Sequence, residues 1–165
     1  MSDKGYSCSV DFTNGEITIE GQRVFSKMGL RKLLKSGLTS EEVVKVPFDP
    51  EASILLLSKT VSIFDQEMVV SFSFDHERLD MVSFEPADLF NKRNAAKLAG
   101  TKVEKKMLED CYTALKDKLR ATIGKDGEES TEDGVVYYFY DMGNYGAMIV
   151  KDLNEYKSEF VITFE

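Results

Sequence analysis

The chain has 165 residues, of which 42% are apolar and 30% are charged. This length and composition suffice for one closed hydrophobic core, so we predict a single domain over residues 1–165. The sequence lacks a run of about 18 apolar residues, which excludes a transmembrane helix, and it opens without the basic and apolar stretches of a secretory signal. We therefore predict a cytoplasmic protein with no membrane partner.

The net charge of −8 comes entirely from the last quarter of the chain. Residues 1–125 hold 19 basic and 19 acidic residues, whereas residues 126–165 hold two basic and ten acidic ones. Such an excess repels the phosphate backbone, so we expect no nucleic-acid partner and favour a basic protein. The same charge would also serve solubility alone, and that alternative stays open.

Cys8 and Cys111 occupy apolar-face positions of a predicted strand and a predicted helix. Cysteines in such positions behave as small buried hydrophobes, so we expect free thiols and a reducing compartment.

An Asn14-Gly15 pair flanked by alternating apolar residues predicts an N-terminal β-hairpin. The alternating residues are Cys8, Val10 and Phe12 before the turn and Ile17 and Ile19 after it. The expected register pairs Phe12 with Ile17 and Val10 with Ile19, which places all of them on one face.

Residues 26–46 change to helical spacing, and Gly37 divides them into two predicted short helices. Thr39 and Glu42 form the capping box that would begin the second helix. Residues 53–84 then predict three or four antiparallel strands, in which Val70, Phe72 and Phe74 share a buried face with Leu79 and Met81. The stretch from Pro86 to Gly100 is less regular.

A second capping box, Thr101 with Glu104, predicts the start of a long amphipathic helix that ends at Gly124. Residues 125–133 predict a solvated loop. Three strands follow, over Val135–Tyr140, Ala147–Val150 and Phe160–Phe164.

The order of elements predicts an α+β fold, with an antiparallel sheet and helices packed on one face. Residues 26–85 and 101–165 each contain a helical segment followed by a meander, which indicates a duplication of element order.

No residue pattern points to catalysis, and we expect no enzyme, no cofactor and no metal. His76 is the only histidine and lies in a predicted turn, without positioned partners for a triad or a metal cluster. Lysines and Arg93 between residues 92 and 106 would suit phosphate, but they lack the interleaved aromatic residues of nucleic-acid binders, which favours a solvated helix face.

Four consecutive aromatic residues, at positions 137–140, must send two rings to each face of their strand. We predict a partner-binding surface in which Tyr138, Tyr140 and Tyr145 act as anchors and Asp133 and Asp141 steer the approach. The alternative is that the sheet is covered on both faces or that two tyrosines lie flat on it.

The order helix, strands, helix, strands over residues 26–165 resembles the tandem arrangement of beta-lactamase-inhibitor-like proteins and of small bacterial immunity proteins. The resemblance rests on topology and composition, and no residue role is carried over. It implies a protein that presents a sheet surface to a basic or enzymatic partner.

The prediction for function is therefore a non-enzymatic protein-binding module, an intracellular inhibitor or immunity-type protein, acting as a monomer or weak homodimer. The alternative is a small-molecule carrier or enzyme with a pocket between sheet and helix.

Overall fold

The computed structural model describes residues 5–164. The helices are α1 (Leu30–Lys35), α2 (Ala87–Leu98) and α3 (Lys105–Ile123). The strands, in chain order, are β1 (Cys8–Asp11), β2 (Glu16–Ile19), β3 (Gln22–Val24), β4 (Val44–Val46), β5 (Asp49–Leu56), β6 (Val61–Ile63), β7 (Gln66–Asp75), β8 (Arg78–Pro86), β9 (Glu128–Glu132), β10 (Val135–Asp141), β11 (Tyr145–Asp152) and β12 (Lys157–Phe164).

The strands of the described residues form two antiparallel sheets. The small sheet has the order β1-β2-β3, and the large sheet has the order β4-β5-β7-β8-β12-β11-β10-β9, with β6 paired to β7. The predicted α+β class and N-terminal hairpin are therefore confirmed. Strands from both halves of the chain meet where β8 pairs with β12.

The N-terminal hairpin has a longer turn than predicted. Val10 pairs with Ile17, and Phe12 belongs to the turn. The side chain of Asp11 accepts hydrogen bonds from the amide and hydroxyl of Thr13, and the carbonyl of Asp11 accepts one from the amide of Gly15. These bonds stabilise a four-residue turn, and the resulting shift of two residues leaves every side chain on its predicted face.

The predicted second short helix is absent from the described residues, and β4 stands in its place. The amide of Ser40 donates to the carbonyl of Leu56, and Val44 pairs with Ile54. β-branched residues favour strands, and β5 offers an edge to pair with, so tertiary pairing overrides the capping-box pattern.

The stretch from Pro86 to Gly100, which is less regular in sequence, contains α2. Its exposed end includes Leu98, which is 91% exposed, so an apolar stripe does not mark the helix in the sequence. The capping box expected for α3 does not form, because Thr101 donates its hydroxyl to the carbonyl of Ala96 instead. Gly124 ends α3 at φ 86°, as predicted.

The predicted solvated loop at residues 125–133 contains β9. All five residues of β9 are exposed, so no apolar alternation marks the strand. Asp133 and Gly134 adopt positive φ angles of 51° and 81° and make a tight turn into β10.

The large sheet has an inner face and an outer face. Inner-face side chains form one apolar core with α3 and the small sheet, to which Phe72, Phe160, Leu115 and Ile17 each contribute a fully buried side chain. A register shift after Ser73 moves Met81 to the outer face, opposite Ser73, so its predicted place in the core is wrong.

The outer face is defined by the residues of opposite parity. One transverse row across it runs through paired residues of seven neighbouring strands: Leu56, Ser71, Ser83, Val161, Met148, Phe139 and Glu128. Short side chains in the middle of this row are buried, whereas Leu56 and Phe139 near its ends are each 37% exposed.

Candidate functional site

Tyr138 and Tyr140 lie on the inner face, with 4% and 3% of their surface exposed. The amide of Gly127 donates to the Tyr138 hydroxyl at 2.7 Å, and the two tyrosine hydroxyls lie 2.9 Å apart. The Tyr140 hydroxyl donates to the carbonyl of Lys125 at 2.6 Å. These rings hold the segment after α3 in place, so they are buried and not exposed as predicted.

Tyr145 is also a core residue and is 1% exposed. Its ring lies against Gly15, where a Cβ atom would come within 2.4 Å of the ring, and its hydroxyl donates to the carbonyl of Phe12. Burial, with a smaller contribution from Asp11, raises the pKa of Tyr145. Tyr145 docks the N-terminal hairpin on the large sheet, so it too is buried and not exposed as predicted.

The other two rings of the aromatic run lie on the outer face. Phe139 pairs with Met148 and Tyr137 with Val150. Phe139 lies over Gly146, where a Cβ atom would come within 3.0 Å of the ring. Each face of β10 therefore carries two rings as expected, but the predicted anchors Tyr138 and Tyr140 are the buried pair.

Phe139 forms one wall of a groove at the open end of the β9–β10 hairpin, away from its turn. The groove has a volume of about 360 Å³. Its lining residues are Lys125, Asp126, Gly127, Glu128, Phe139, Tyr140 and Asp141. We call this site the β9–β10 groove.

Three exposed carboxylates, those of Asp126, Glu128 and Asp141, outnumber the one cation of the lining, Lys125, and give the β9–β10 groove a net negative charge. Asp141 is held in place because its side chain accepts a hydrogen bond from the amide of Gly143 at 2.9 Å. Asp126 lies 4.0 Å from the guanidinium of Arg120. Several carboxylates beside an exposed ring can bind a lysine or arginine side chain by charge and by cation–π contact.

The predicted steering residues lie at opposite ends of β10. Asp141 lines the β9–β10 groove, whereas Asp133 lies in the turn before β10, and its carbonyl accepts a hydrogen bond from the side chain of Asn154. A seven-residue strand separates the two, so the structure does not bring them together. Phe139, Asp126 and Glu128 are groove residues that the sequence does not predict.

β9 is tied to α3 from the inner side. The Tyr112 hydroxyl donates to Glu129 at 2.6 Å, and the ammonium of Lys116 lies 3.4 Å from the same carboxylate oxygen. The hydrogen bond from Tyr112 lowers the pKa of Glu129, followed by the charge of Lys116. The position of β9 is therefore fixed before any partner binds.

A second polar group lies on the outer face near α2. Arg93 donates two hydrogen bonds to Glu85, at 2.6 and 3.2 Å, and Glu85 is 5% exposed. Burial raises the pKa of the neighbouring Glu159, and Lys157 partly opposes that shift. Because Arg93 pairs with Glu85, the buried carboxylate of Glu85 is tolerated beside the sheet.

The expected pocket between sheet and helix is filled where α3 lies on the inner face, because Leu115 and Leu119 are fully buried there. A groove of about 500 Å³ lies instead between α2 and α3. Its lining includes Lys92, Lys102 and Cys111.

His76 lies in the exposed turn between β7 and β8, as the sequence predicts, and its ring contacts Asp75 and Glu51 at 2.9 and 3.5 Å. In residues 5–164 no group of three or more metal-ligating side chains converges. None of the helices in the same range is both long and apolar enough to cross a membrane.

Comparisons with protein-family models, with curated proteins and with solved structures gave no match. The structure therefore defines the class by itself: an α+β protein with an acidic and aromatic groove at one end of its large sheet. The resemblance to inhibitor-like and immunity proteins stays a prediction.

Proposed function

We propose that this protein is a non-enzymatic binding module that recognises a basic surface on another protein through the β9–β10 groove. The observation that carries the proposal is the meeting of an exposed ring, Phe139, with the carboxylates of Asp126, Glu128 and Asp141 in one groove. A lysine or arginine of the partner would enter the groove and lie against the ring.

The charge distribution favours the same partner. The last 40 residues carry ten acidic and two basic residues, and β9 contributes Glu128 to the groove and Glu132 to the same face of the strand. Charges of one sign concentrated on one face accelerate the approach of an oppositely charged protein, and salt screens the effect over about 8 Å at physiological ionic strength.

An inhibitor or immunity-type role in the cytoplasm is the form of this function that we propose. Such a protein needs a rigid binding face, and the hydrogen bonds of Tyr138, Tyr140 and Glu129 hold both strands of the groove. Cys8 and Cys111 are free, which suits a reducing compartment.

Selective capture tests the proposal. The protein is immobilised and exposed to a lysate of its source cells at low and at high salt, and retained proteins are identified by mass spectrometry. We expect one basic protein to bind wild type at low salt and to be lost as salt rises, because the contact is largely ionic.

Two groove variants and two matched controls make the capture specific. Phe139→Ala removes the ring, and Asp141→Asn removes a charge while keeping an acceptor for the amide of Gly143. Phe48→Ala removes another exposed ring, on the β4–β5 turn, and Glu155→Gln removes an exposed charge elsewhere. Equal capture by all four variants would refute the role of the groove.

Binding of a small ligand between α2 and α3 is the second candidate. The groove there combines the apolar side chains of Val103 and Met107 with three lysines and two carboxylates, so its lining has a net charge of +1; the charged residues are Lys92, Lys102, Lys106, Glu104 and Asp110. This combination suits a small amphipathic anion. Saturable binding of such an anion, lost on Met107→Glu, together with no selective protein capture would favour this candidate.

A further inference from the structure

β9 is the last strand of the large sheet on its side, and it pairs with β10 alone. Its five residues are exposed. An open strand edge offers unpaired amides and carbonyls to another extended chain, and natural proteins usually protect such edges. The β9 edge is therefore a second feature of the same region, next to the β9–β10 groove.

The hairpin geometry identifies the backbone groups that face the open edge. A two-residue turn joins Glu132 to Val135, which makes these two residues a hydrogen-bonded pair. Hydrogen-bonded and non-hydrogen-bonded pairs alternate along antiparallel strands. The amides and carbonyls of Glu129 and Thr131 consequently point away from β10, to the open edge.

The side chains of β9 restrict which chain can pair there. Glu128, Ser130 and Glu132 share the outer face, because Glu128 pairs with Phe139 and strand residues alternate. Pairing of β9 with β9 of a second copy would bring the glutamates of two acidic chains together, and like charges across a strand pair are destabilising. An edge of this charge disfavours self-pairing and suits a basic strand.

The contacts of Glu129 add a further restriction. This glutamate is on the inner side and is already bonded to Tyr112 and Lys116. The charges left for a partner are those of Glu128 and Glu132, four residues apart, or about 13 Å along a strand. A complementary segment therefore has cationic side chains four residues apart on one face.

We propose that β9 accepts an extended basic segment of a partner protein as an added strand of the large sheet. The added strand bonds to the outward amides and carbonyls of Glu129 and Thr131, and its cationic side chains meet Glu128 and Glu132. This inference rests on the proposed function and adds the way in which the partner binds.

The probe for the test is a capped eight-residue peptide of alternating lysine and threonine, titrated into the full chain. Hydrogen exchange of individual amides is measured by NMR. We expect exchange at Glu129 and Thr131 to slow at least about tenfold at saturation, because these amides become hydrogen-bonded. Loss of peptide binding in high salt alone would not distinguish strand addition from ionic contact.

A matched peptide of the same sequence and charge, with alternate amides N-methylated, makes that distinction. If the peptide pairs as a strand, methylation removes its donors along one edge and weakens binding at least about tenfold. Equal binding of both peptides, or unchanged exchange at Glu129 and Thr131, would overturn strand addition while leaving capture through the β9–β10 groove as a separate question.

A protein variant gives an independent readout. Thr131→Pro removes one outward amide, and proline is compatible with an edge strand where its nitrogen faces solvent. We expect Thr131→Pro to lose peptide binding and Thr131→Ala to keep it, with both variants retaining the wild-type exchange pattern in β11 and β12. Peptide binding by a folded Thr131→Pro variant would contradict the proposal. β4 is the edge strand at the other end of the large sheet. If two copies paired through β4 instead, the mass measured by light scattering would rise with protein concentration.

Discussion

Two transverse rows of the large sheet differ in what they specify. The inner row passes through Leu55, Phe72, Val82, Ile162, Ala147 and Tyr140. Each of these residues is at most 3% exposed. The outer row, from Leu56 to Glu128, changes from apolar to hydroxyl-bearing, back to apolar at Val161 and Met148, and then to aromatic and acidic within the same strands.

The difference shows where stability and where recognition are encoded. Inner-row residues share one character, since each must be apolar and fit its neighbours, and only Tyr140 among these six adds side-chain hydrogen bonds. Outer-row residues differ from one another in character. Folding alone does not require an exposed ring, Phe139, to lie beside the carboxylate of Glu128. Substitutions in the two rows should therefore separate folding from binding.

Phe160→Ala should give the largest effect on the inner face. The Phe160 ring is fully buried and lies 5.1–6.1 Å from the rings of Phe12, Phe64 and Phe84. Removal of such a ring costs about 3–5 kcal/mol of the free energy of unfolding. Urea denaturation measures it.

Phe139→Ala is the matched outer-face control. Its ring is partly exposed, so we expect a loss below about 1.5 kcal/mol. Equal losses for Phe139→Ala and Phe160→Ala would remove the distinction between the two faces.

The sequence predicts the inner face well because burial leaves a periodic trace. Val70, Phe72 and Phe74 alternate, and they are buried together as expected. The position of Met81 could not be predicted, because the register shift opposite Ser73 has no signature of its own. The predicted register of the N-terminal hairpin was wrong for a similar reason, since the hydrogen bonds of the Asp11 side chain decide the turn length.

The candidate site was harder to predict from the sequence. Alternation requires two aromatic rings on each face of β10, but β11 is apolar on both parities, so the pattern does not say which pair is buried. Glu128 lies in a strand with no apolar residue, which hides the strand itself. Gly146 beneath Phe139 was the available signal, because a missing side chain opposite an aromatic ring makes room for it.

Gly15→Ala should be the next largest effect and tests how the hairpin joins the inner face. Gly15 has φ 76°, and a Cβ atom would lie 2.4 Å from the Tyr145 ring. We expect a loss of about 2–4 kcal/mol, from backbone strain together with displacement of the ring.

The control for this clash is Gly21→Ala. Gly21 has φ 79° with no atom within 4 Å of the added methyl group, so only the strain of about 1–2 kcal/mol remains. Urea denaturation compares the two variants. A loss at Gly15 no larger than that at Gly21 would mean that Tyr145 does not hold the hairpin.

Tyr138→Phe should have a smaller effect and sharpens the comparison within the aromatic run. The variant keeps the ring but leaves the amide of Gly127 without the hydroxyl that accepts its hydrogen bond. We expect a loss of about 1–2 kcal/mol in thermal or urea unfolding. Tyr137→Phe, on the outer face, should stay within about 0.5 kcal/mol of wild type. A larger loss for Tyr137→Phe than for Tyr138→Phe would mean that the hydroxyl that stabilises the fold lies on the outer face.

The smallest effects concern pH, and the two faces should respond with opposite signs. Burial raises the pKa of Glu159 on the outer face, so the unfolded chain loses this proton first as pH rises. The contribution of Glu159 to stability is therefore complete below its ordinary pKa and decreases as pH rises through the raised value. Glu159→Gln should remove that decrease.

Glu129 should behave in the opposite way, because the hydrogen bond from Tyr112 lowers its pKa. Its contribution is present above the ordinary glutamate pKa and is lost as pH falls through the lowered value. Glu129→Gln should remove that loss at acid pH, which urea midpoints between about pH 3 and pH 7 would record. Since Glu129 also positions β9, the same variant should weaken binding of the lysine–threonine peptide, whereas Glu159→Gln should leave it unchanged; weakening by Glu159→Gln alone would move the binding edge away from β9.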